Sequence, residues 1–253
     1  AYASDKQTLQ RIAIWKQRFD KGYCKDIGAE AGCLEKPLGT TQSELVGEEL
    51  AIRRFETNLG NWLADLARRE FAYKGAQIAF LNSGGMRLNQ NIQEGSVITR
   101  KQIDTLFAYP TRLVQIKVTG AQLQQVLSHS VSDWTGNGHW LQVSGLAFRH
   151  DPENDKADSL HLITAAGLKP IEADDEITAV VNDYLINSKG DRDGYTMLSE
   201  ALMVDPGADR PDLRDIVIKA LEMSGEQGVN PQRDGRICNI RHSQKCLLEV
   251  TSQ

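Results

Sequence analysis

The stretch FLNSGGMRLNQNIQEG, residues 80–95, sets an Asn, two adjacent glycines and an Arg directly behind an apolar run. Three readings compete for it: a tight turn, a phosphate cradle, and one wall of a site whose other walls lie far along the chain. Spacing excludes the standard cradles. NSGGMR has neither the G-x-x-x-x-G-K-[ST] order of a P-loop nor G-x-G-x-x-G. Other reactive signatures fail in the same way. The histidines, His129, His139, His150, His161 and His242, are scattered; none forms H-E-x-x-H, and no Asp-x-His pair occurs. QVSGL lacks the first Gly of the G-x-S-x-G elbow. No complete catalytic set is legible. The residues point to holding a ligand and not to reacting it.

Composition narrows the classes. The chain has 253 residues, 40% hydrophobic and 25% charged, ample for a core. The formal net charge is −5 and no basic stripe appears, so nucleic acid is not an expected partner. No apolar run approaches the ~18–20 residues of a membrane span. The chain opens AYASDKQTLQ, with neither an initial Met nor the pattern of a signal peptide, which fits a processed chain or an excised fragment. Four cysteines fall in two local pairs, CKDIGAEAGC and CNIRHSQKC, with no C-x-x-C. Local bridges, Cys24–Cys33 and Cys238–Cys246, are the simplest of three connectivities and would imply an oxidising compartment, a periplasm or the cell exterior. The alternative is four free thiols in a cytosolic protein.

The elements that must position such a site follow from periodicity. Residues 5–20 read as an amphipathic helix with Leu9, Ile12 and Phe19 on one face, and residues 21–44 read as irregular. RRFETNLGNWLADLARRE places Leu59, Trp62, Leu63 and Leu66 on a core-facing helical stripe. AQIAFLN is a short buried strand running into the glycine turn. Thr99 with Gln102, and Thr119 with Gln122, are capping boxes for two helices. RLVQIKVTG alternates as a half-buried strand, with Val114, Ile116 and Val118 on one face. WLQVSGLAFRH, DSLHLITAAG, DEITAVVNDYLI and the late GRICNI read as strands, and RPDLRDIVIKALEM as a helix carrying Leu213, Ile216, Ala220 and Leu221. Strands and helices intermix without strict βαβ alternation, which favours a mixed α/β or α+β sandwich over a doubly wound sheet.

Six stretches in order, RRFETNLGNWLADLARR, FLNSGGMR, GSVITRKQIDTLFAYP, VQIKVTGAQLQQVL, WLQVSGLAF and VVNDYLINSKGDRDGY, together resemble the C-terminal domain of the 5′-nucleotidases, the family of periplasmic UDP-sugar hydrolases and ecto-5′-nucleotidase. The terminal DGRI resembles the end of such a domain. The resemblance covers roughly residues 5–242 and implies a layered α/β/β/α sandwich with mixed sheets. It implies one domain over residues 1–253, which grips a nucleotide or nucleoside. It implies a partner, an N-terminal metallophosphatase domain, which carries the divalent metal ions and the chemistry. The Asn-His-Asp/Glu signature of that domain is absent here, so no cofactor is expected in this chain and the chain alone is expected to be inactive. The rival reading is a stand-alone, non-enzymatic nucleotide-binding protein; a second rival is a self-sufficient hydrolase with an unrecognised site.

Carried over residue by residue, the resemblance sets Arg53 and Arg87 at phosphate-contacting positions and Asn82 at the nucleoside. It sets Tyr109 and Tyr184 at the two faces of the base, and Asp193 at the ribose hydroxyls. The chemistry suits the residue types. Two rings clamp a flat base at ~1–3 kcal/mol per stacked base. A carboxylate, acceptor-only, suits a diol with two donors. The planar Arg fork fits phosphate oxygens. Adjacent glycines are expected to allow φ > 0 and leave room for a ligand. Bland alternatives stand beside these: a plain turn at Asn82, Gly84 and Gly85, core tyrosines, solvated arginines and a turn Asp. Three departures matter. Both stacking positions are Tyr, whose hydroxyl needs a partner. The Pro follows the first aromatic instead of preceding it. SKGDRDGY is longer than the family loop, which makes Asp191 a rival to Asp193.

Overall fold

The computed structural model describes residues 13–14, 20–242 and 245–249. The expected helix over 5–20 lies almost wholly outside the described residues. In chain order the strands are β1 (Pro37–Thr40), β2 (Ile78–Asn82), β3 (Val97–Thr99), β4 (Leu113–Thr119), β5 (Leu141–Ser144), β6 (Leu146–Asp151), β7 (Lys156–Thr164), β8 (Gly167–Pro170), β9 (Glu176–Asn182) and β10 (Ile237–Asn239). After a single helical turn at Glu49–Ile52, the main helices are α1 (Asn58–Glu70), α2 (Arg100–Leu106), α3 (Gly120–Val131) and α4 (Leu213–Ser224).

The central sheet has the order β4-β9-β2-β5, with β2 and β9 parallel and the outer strands antiparallel to their neighbours. A second mixed sheet has the order β10-β6-β7-β8, and β1 pairs with β3 in a small ribbon. Side-chain alternation along β2 explains the layering. Ile78 and Phe80 enter one core with α3 and strands β5 to β7; Ala79 and Leu81 enter the other with α1 and α4. The result is a layered α/β fold with mixed sheets.

Local chemistry sets the element ends. Thr57 Oγ1 accepts from the Gly60 N–H at 3.0 Å and starts α1, which buries Leu59, Trp62, Leu63 and Leu66. Both capping boxes form, at Thr99 with Gln102 and at Thr119 with Gln122. In α4, Leu213 and Leu221 are buried with Val217, while Ile216 and Ala220 are only partly covered. Both local disulfides are present, Cys24–Cys33 and Cys238–Cys246.

Three expectations are corrected. Residues 21–44 are not all irregular: they hold a helical stretch, a 3-10 turn at Cys33–Glu35 and β1, whose sequence PLGT is too poor in apolar residues to read as a strand. Strand β4 is not simply half-buried. Leu113 to Ile116 are all buried, because layers cover both faces of the sheet there, and alternation appears only from Lys117 onward. WLQVSGLAFRH is two strands in different sheets. Gly145 breaks it at φ 69°, where a Cβ would stand 2.2 Å from the Gln77 carbonyl oxygen, so only Gly lets the chain cross here.

One buried group makes stability depend on pH. His150 on β6 is 0% exposed, with the Trp134 and Trp140 rings at 5.2 and 5.3 Å. Burial lowers its pKa from 6.5 to about 4, with Asp151 opposing and His242 adding to the shift. The unfolded chain therefore takes up a proton below pH 6.5 that the folded chain refuses until about pH 4. This contribution is complete above pH 6.5 and is lost as pH falls, by roughly 3 kcal/mol at pH 4. Urea unfolding between pH 7.5 and 4.5 should show the decline, and His150→Gln should flatten its upper part. An unchanged slope in the variant would remove His150 as the cause.

Candidate ligand-binding site

Strands β2 and β9 run parallel and adjacent, so their carboxyl ends open at one place. The chain leaves them through short 3-10 turns, Ser83–Gly85 and Asp183–Ile186. An open cleft of about 540 Å³ lies there, lined by Arg53, Asn82, Arg87, Tyr109, Tyr184 and Asp193. All six residues named from dispersed motifs thus meet at one location. A crevice outside the carboxyl ends of parallel strands is where open α/β sheets bind ligands.

The floor is a polar relay of fixed direction. Asp193 is acceptor-only, so Asn82 turns its Nδ2 toward it and donates to Oδ2 at 2.6 Å. The Asn82 Oδ1 then accepts from Asn182 Nδ2 at 2.9 Å. Both Asn side chains are buried, and Asn182 Oδ1 has no partner among the described residues. Asn182 was missed in the sequence reading. Its signal was available: VVN ends a buried strand as FLN does.

The walls are aromatic and basic. Tyr109 is 62% exposed and Tyr184 37%, so neither is a core residue. Arg87 Nε donates to the Gly84 carbonyl at 2.6 Å, and its guanidinium lies 5.8 Å from the Tyr109 ring centre. This anchors the side chain at Nε and leaves its two terminal nitrogens for a ligand. Arg53 is mostly covered and pairs with Glu49 at 2.9 Å, while its Nε has no partner among the described residues.

The Tyr184 hydroxyl has found its partners. It donates to Asp191 Oδ1 in a short bond and approaches Asp193 Oδ1 at 3.1 Å. Burial and the two carboxylates raise the Tyr184 phenol well above its ordinary value. The same hydrogen bond holds Asp191 below the usual carboxylate range. Of the rival carboxylates, Asp193 lines the cleft, while Asp191 braces Tyr184 and also accepts from the Asp193 N–H at 3.3 Å.

The reason for the glycines is corrected. Neither Gly84 nor Gly85 has positive φ. Gly84 is required by close approach: its N–H donates to the Gly138 carbonyl at 2.8 Å, and a Cβ would stand 3.0 Å from Gly138 Cα and 3.3 Å from Asp193 Oδ2. Gly138 also lines the cleft and had no recognised signal in the sequence. A Cβ at Gly85 would meet only Asn82 Oδ1 at 3.7 Å, so that position does leave room. Gly84→Ala should therefore push two backbone segments apart, at about 1–3 kcal/mol, and misplace Asp193. Gly85→Ala is the control. Equal melting temperatures for the two variants would contradict the close-approach argument.

Among the described residues, no group of three or more His, Cys, Asp or Glu side chains is placed to hold a metal ion. The residues here do not fit a metal centre.

A layered α/β domain with a cleft at its central parallel strands is the class defined by this geometry. Residues 37–200 match the family 5′-nucleotidase, C-terminal domain, and the chain belongs to it. It is 30% identical over 235 residues to the trifunctional nucleotide phosphoesterase protein YfkN of Bacillus subtilis (strain 168), covering 89% of this chain and 15% of that protein. The 5′-nucleotidase precursor of Thermus thermophilus superposes with a TM-score of 0.74 at 28% identity, over 87% of this chain and 42% of that one. The NAD nucleotidase of Haemophilus influenzae shares the fold at a TM-score of 0.65 and 18% identity, over 93% of this chain and 41% of that one. The chain thus spans well under half the length of these relatives.

Proposed function

We propose that this chain is the nucleotide-binding and specificity domain of a 5′-nucleotidase-type hydrolase that cleaves nucleotide phosphoesters. The observation that carries the reading is the convergence of Arg53, Asn82, Arg87, Tyr109, Tyr184 and Asp193, from dispersed stretches of the chain, on one cleft. Two exposed rings suit a flat base, a carboxylate suits a ribose diol, and two arginines suit phosphate. The names of the Bacillus subtilis and Thermus thermophilus relatives, a nucleotide phosphoesterase and a 5′-nucleotidase precursor, support the same reading.

In this proposal the chain supplies orientation. Holding the ligand at base, sugar and phosphate aligns the scissile ester and lowers the barrier by positioning. An N-terminal metallophosphatase domain supplies the reaction. Residues 1–253 act as one domain. The two disulfides support a periplasmic or secreted location, since such bonds persist in oxidising compartments.

Calorimetry across nucleosides and their mono-, di- and triphosphates tests the proposal. Binding of at least one class is expected, and no binding to any of them would end the reading. Arg87→Ala should weaken nucleotides more than nucleosides, because only nucleotides carry the phosphate its fork would grip. The phosphate-dependent part should also weaken with salt. Equal losses for both ligand types would remove Arg87 from the phosphate. An assay of the chain with Mn²⁺, Zn²⁺ or Mg²⁺ against 5′-AMP and UDP-glucose should give no turnover.

A further inference from the structure

We infer that His129, on α3, is a positioning residue for Asp193. The inference rests on the proposed role of Asp193 in gripping the ligand. The loop that carries Asp193 adopts an unusual backbone. Arg192, Asp193 and Gly194 have φ of 53°, 49° and 83°, three consecutive residues in the left-handed region. Two of them carry side chains, and such conformations persist only where surrounding contacts over-determine them.

The contacts on Asp193 come from several directions. Its carboxylate is held by Asn82 on β2 and by Tyr184. Its N–H reaches Asp191 Oδ1. Its carbonyl oxygen lies 2.7 Å from His129 Nε2. A carbonyl only accepts, so His129 carries hydrogen on Nε2 and donates. The neighbouring residue fits the same ring. A Cβ at Gly194 would stand 2.8 Å from both Cε1 and Nε2 of His129, so the loop packs against this edge of the imidazole only because Gly194 has no side chain.

The imidazole is itself held. The Tyr195 ring meets it edge-on at 4.7 Å and the His139 ring lies at 4.9 Å. Tyr195 is fully buried, and its hydroxyl donates to the His139 carbonyl. A rigid helix and a core tyrosine thus fix the ring, and the ring fixes the peptide that aims the Asp193 carboxylate. The role needs a donor at Nε2, which separates it from simple packing.

The test compares His129→Gln, which keeps a donor near the Nε2 position, with His129→Leu, which fills space without one. Affinity for adenosine 5′-monophosphate and its 2′-deoxy analogue is measured by calorimetry, with melting temperature and amide hydrogen exchange over residues 190–195. The Leu variant should bind the ribonucleotide about tenfold more weakly, the scale of one hydrogen bond to a charged group, while losing much less for the deoxy analogue. Exchange at Gly194 and Tyr195 should accelerate in the Leu variant and stay near the native rate in the Gln variant. Native-like affinity and exchange in both variants would overturn the inference. So would equal losses in both variants alongside a lower melting temperature and faster exchange throughout α3, which would make His129 a core residue. If the wild-type protein binds neither probe, the ligand reading fails for this nucleotide, and the exchange comparison alone decides whether His129 holds the loop.

Discussion

Glu56→Ala is expected to lower stability by about 3–5 kcal/mol, the largest effect of any single substitution considered. The Glu56 side chain is fully covered. One carboxylate oxygen accepts from the Asp234 and Gly235 N–H groups at 3.0 Å each, and the other accepts from the Ile237 N–H at 3.1 Å. Asn61 Nδ2 adds a fourth donor at 2.8 Å. The carboxylate thus ties the start of α1 to the segment that enters β10. Removing it strands three backbone donors at about 1–3 kcal/mol each, with partial recovery by water. Thermal unfolding should fall by about 10 °C, at roughly 2–4 °C per kcal/mol for a chain of this size. Glu56→Gln keeps one oxygen and should lie between. The Cys238–Cys246 bridge closes the loop that begins one residue beyond this segment, so the loss should grow on reduction. A change below about 1 kcal/mol in Glu56→Ala would mean that the segment is held elsewhere, with Arg236 the first alternative. Arg236 is buried and contacts Asp65 at 2.8 Å and Asp234 at 2.7 Å.

Tyr184→Ala is expected to weaken nucleotide binding by about 1–3 kcal/mol, a factor of about 5 to 150 in Kd, through loss of one stacking face. Tyr109→Ala should fall in the same range. Both rings are exposed, so neither variant should melt much below wild type. The Phe variants separate the two positions. At Tyr109 the ring alone is expected to matter, and Tyr109→Phe should bind almost as wild type does. At Tyr184 the hydroxyl is bonded to Asp191 and approaches Asp193, so Tyr184→Phe should lose affinity as well, though less than the Ala variant. Sequence reasoning alone predicts that Tyr→Phe costs far less than Tyr→Ala at both positions, because stacking needs only the ring. Affinities by calorimetry, each paired with a melting temperature, decide the matter. Ala variants that melt lower while binding per folded molecule is unchanged would put the base elsewhere.

Much of this chain was written in local chemistry. The helix starts at Thr99 and Thr119 were legible because a capping box involves residues three apart. So were the apolar stripe of α1 and the two disulfides, with sequence separations of only 9 and 8. The six cleft residues were legible only as a set, because the order of the motifs carried information that no single residue holds. Tertiary structure decided what depends on approach between distant segments. It turned β4 from a half-buried strand into one buried on both faces over its first half, because a second layer covers it. It split one apparent strand at Gly145, because the chain changes sheets there. It replaced positive φ by contact with Gly138 as the reason for Gly84, and added Asn182 to the floor of the cleft. It separated Asp193 from Asp191, two residues apart and alike in type, by which one meets Asn82. Periodicity and capping are properties of neighbours in the chain; which carboxylate faces a cleft depends on a contact between residues 111 positions apart.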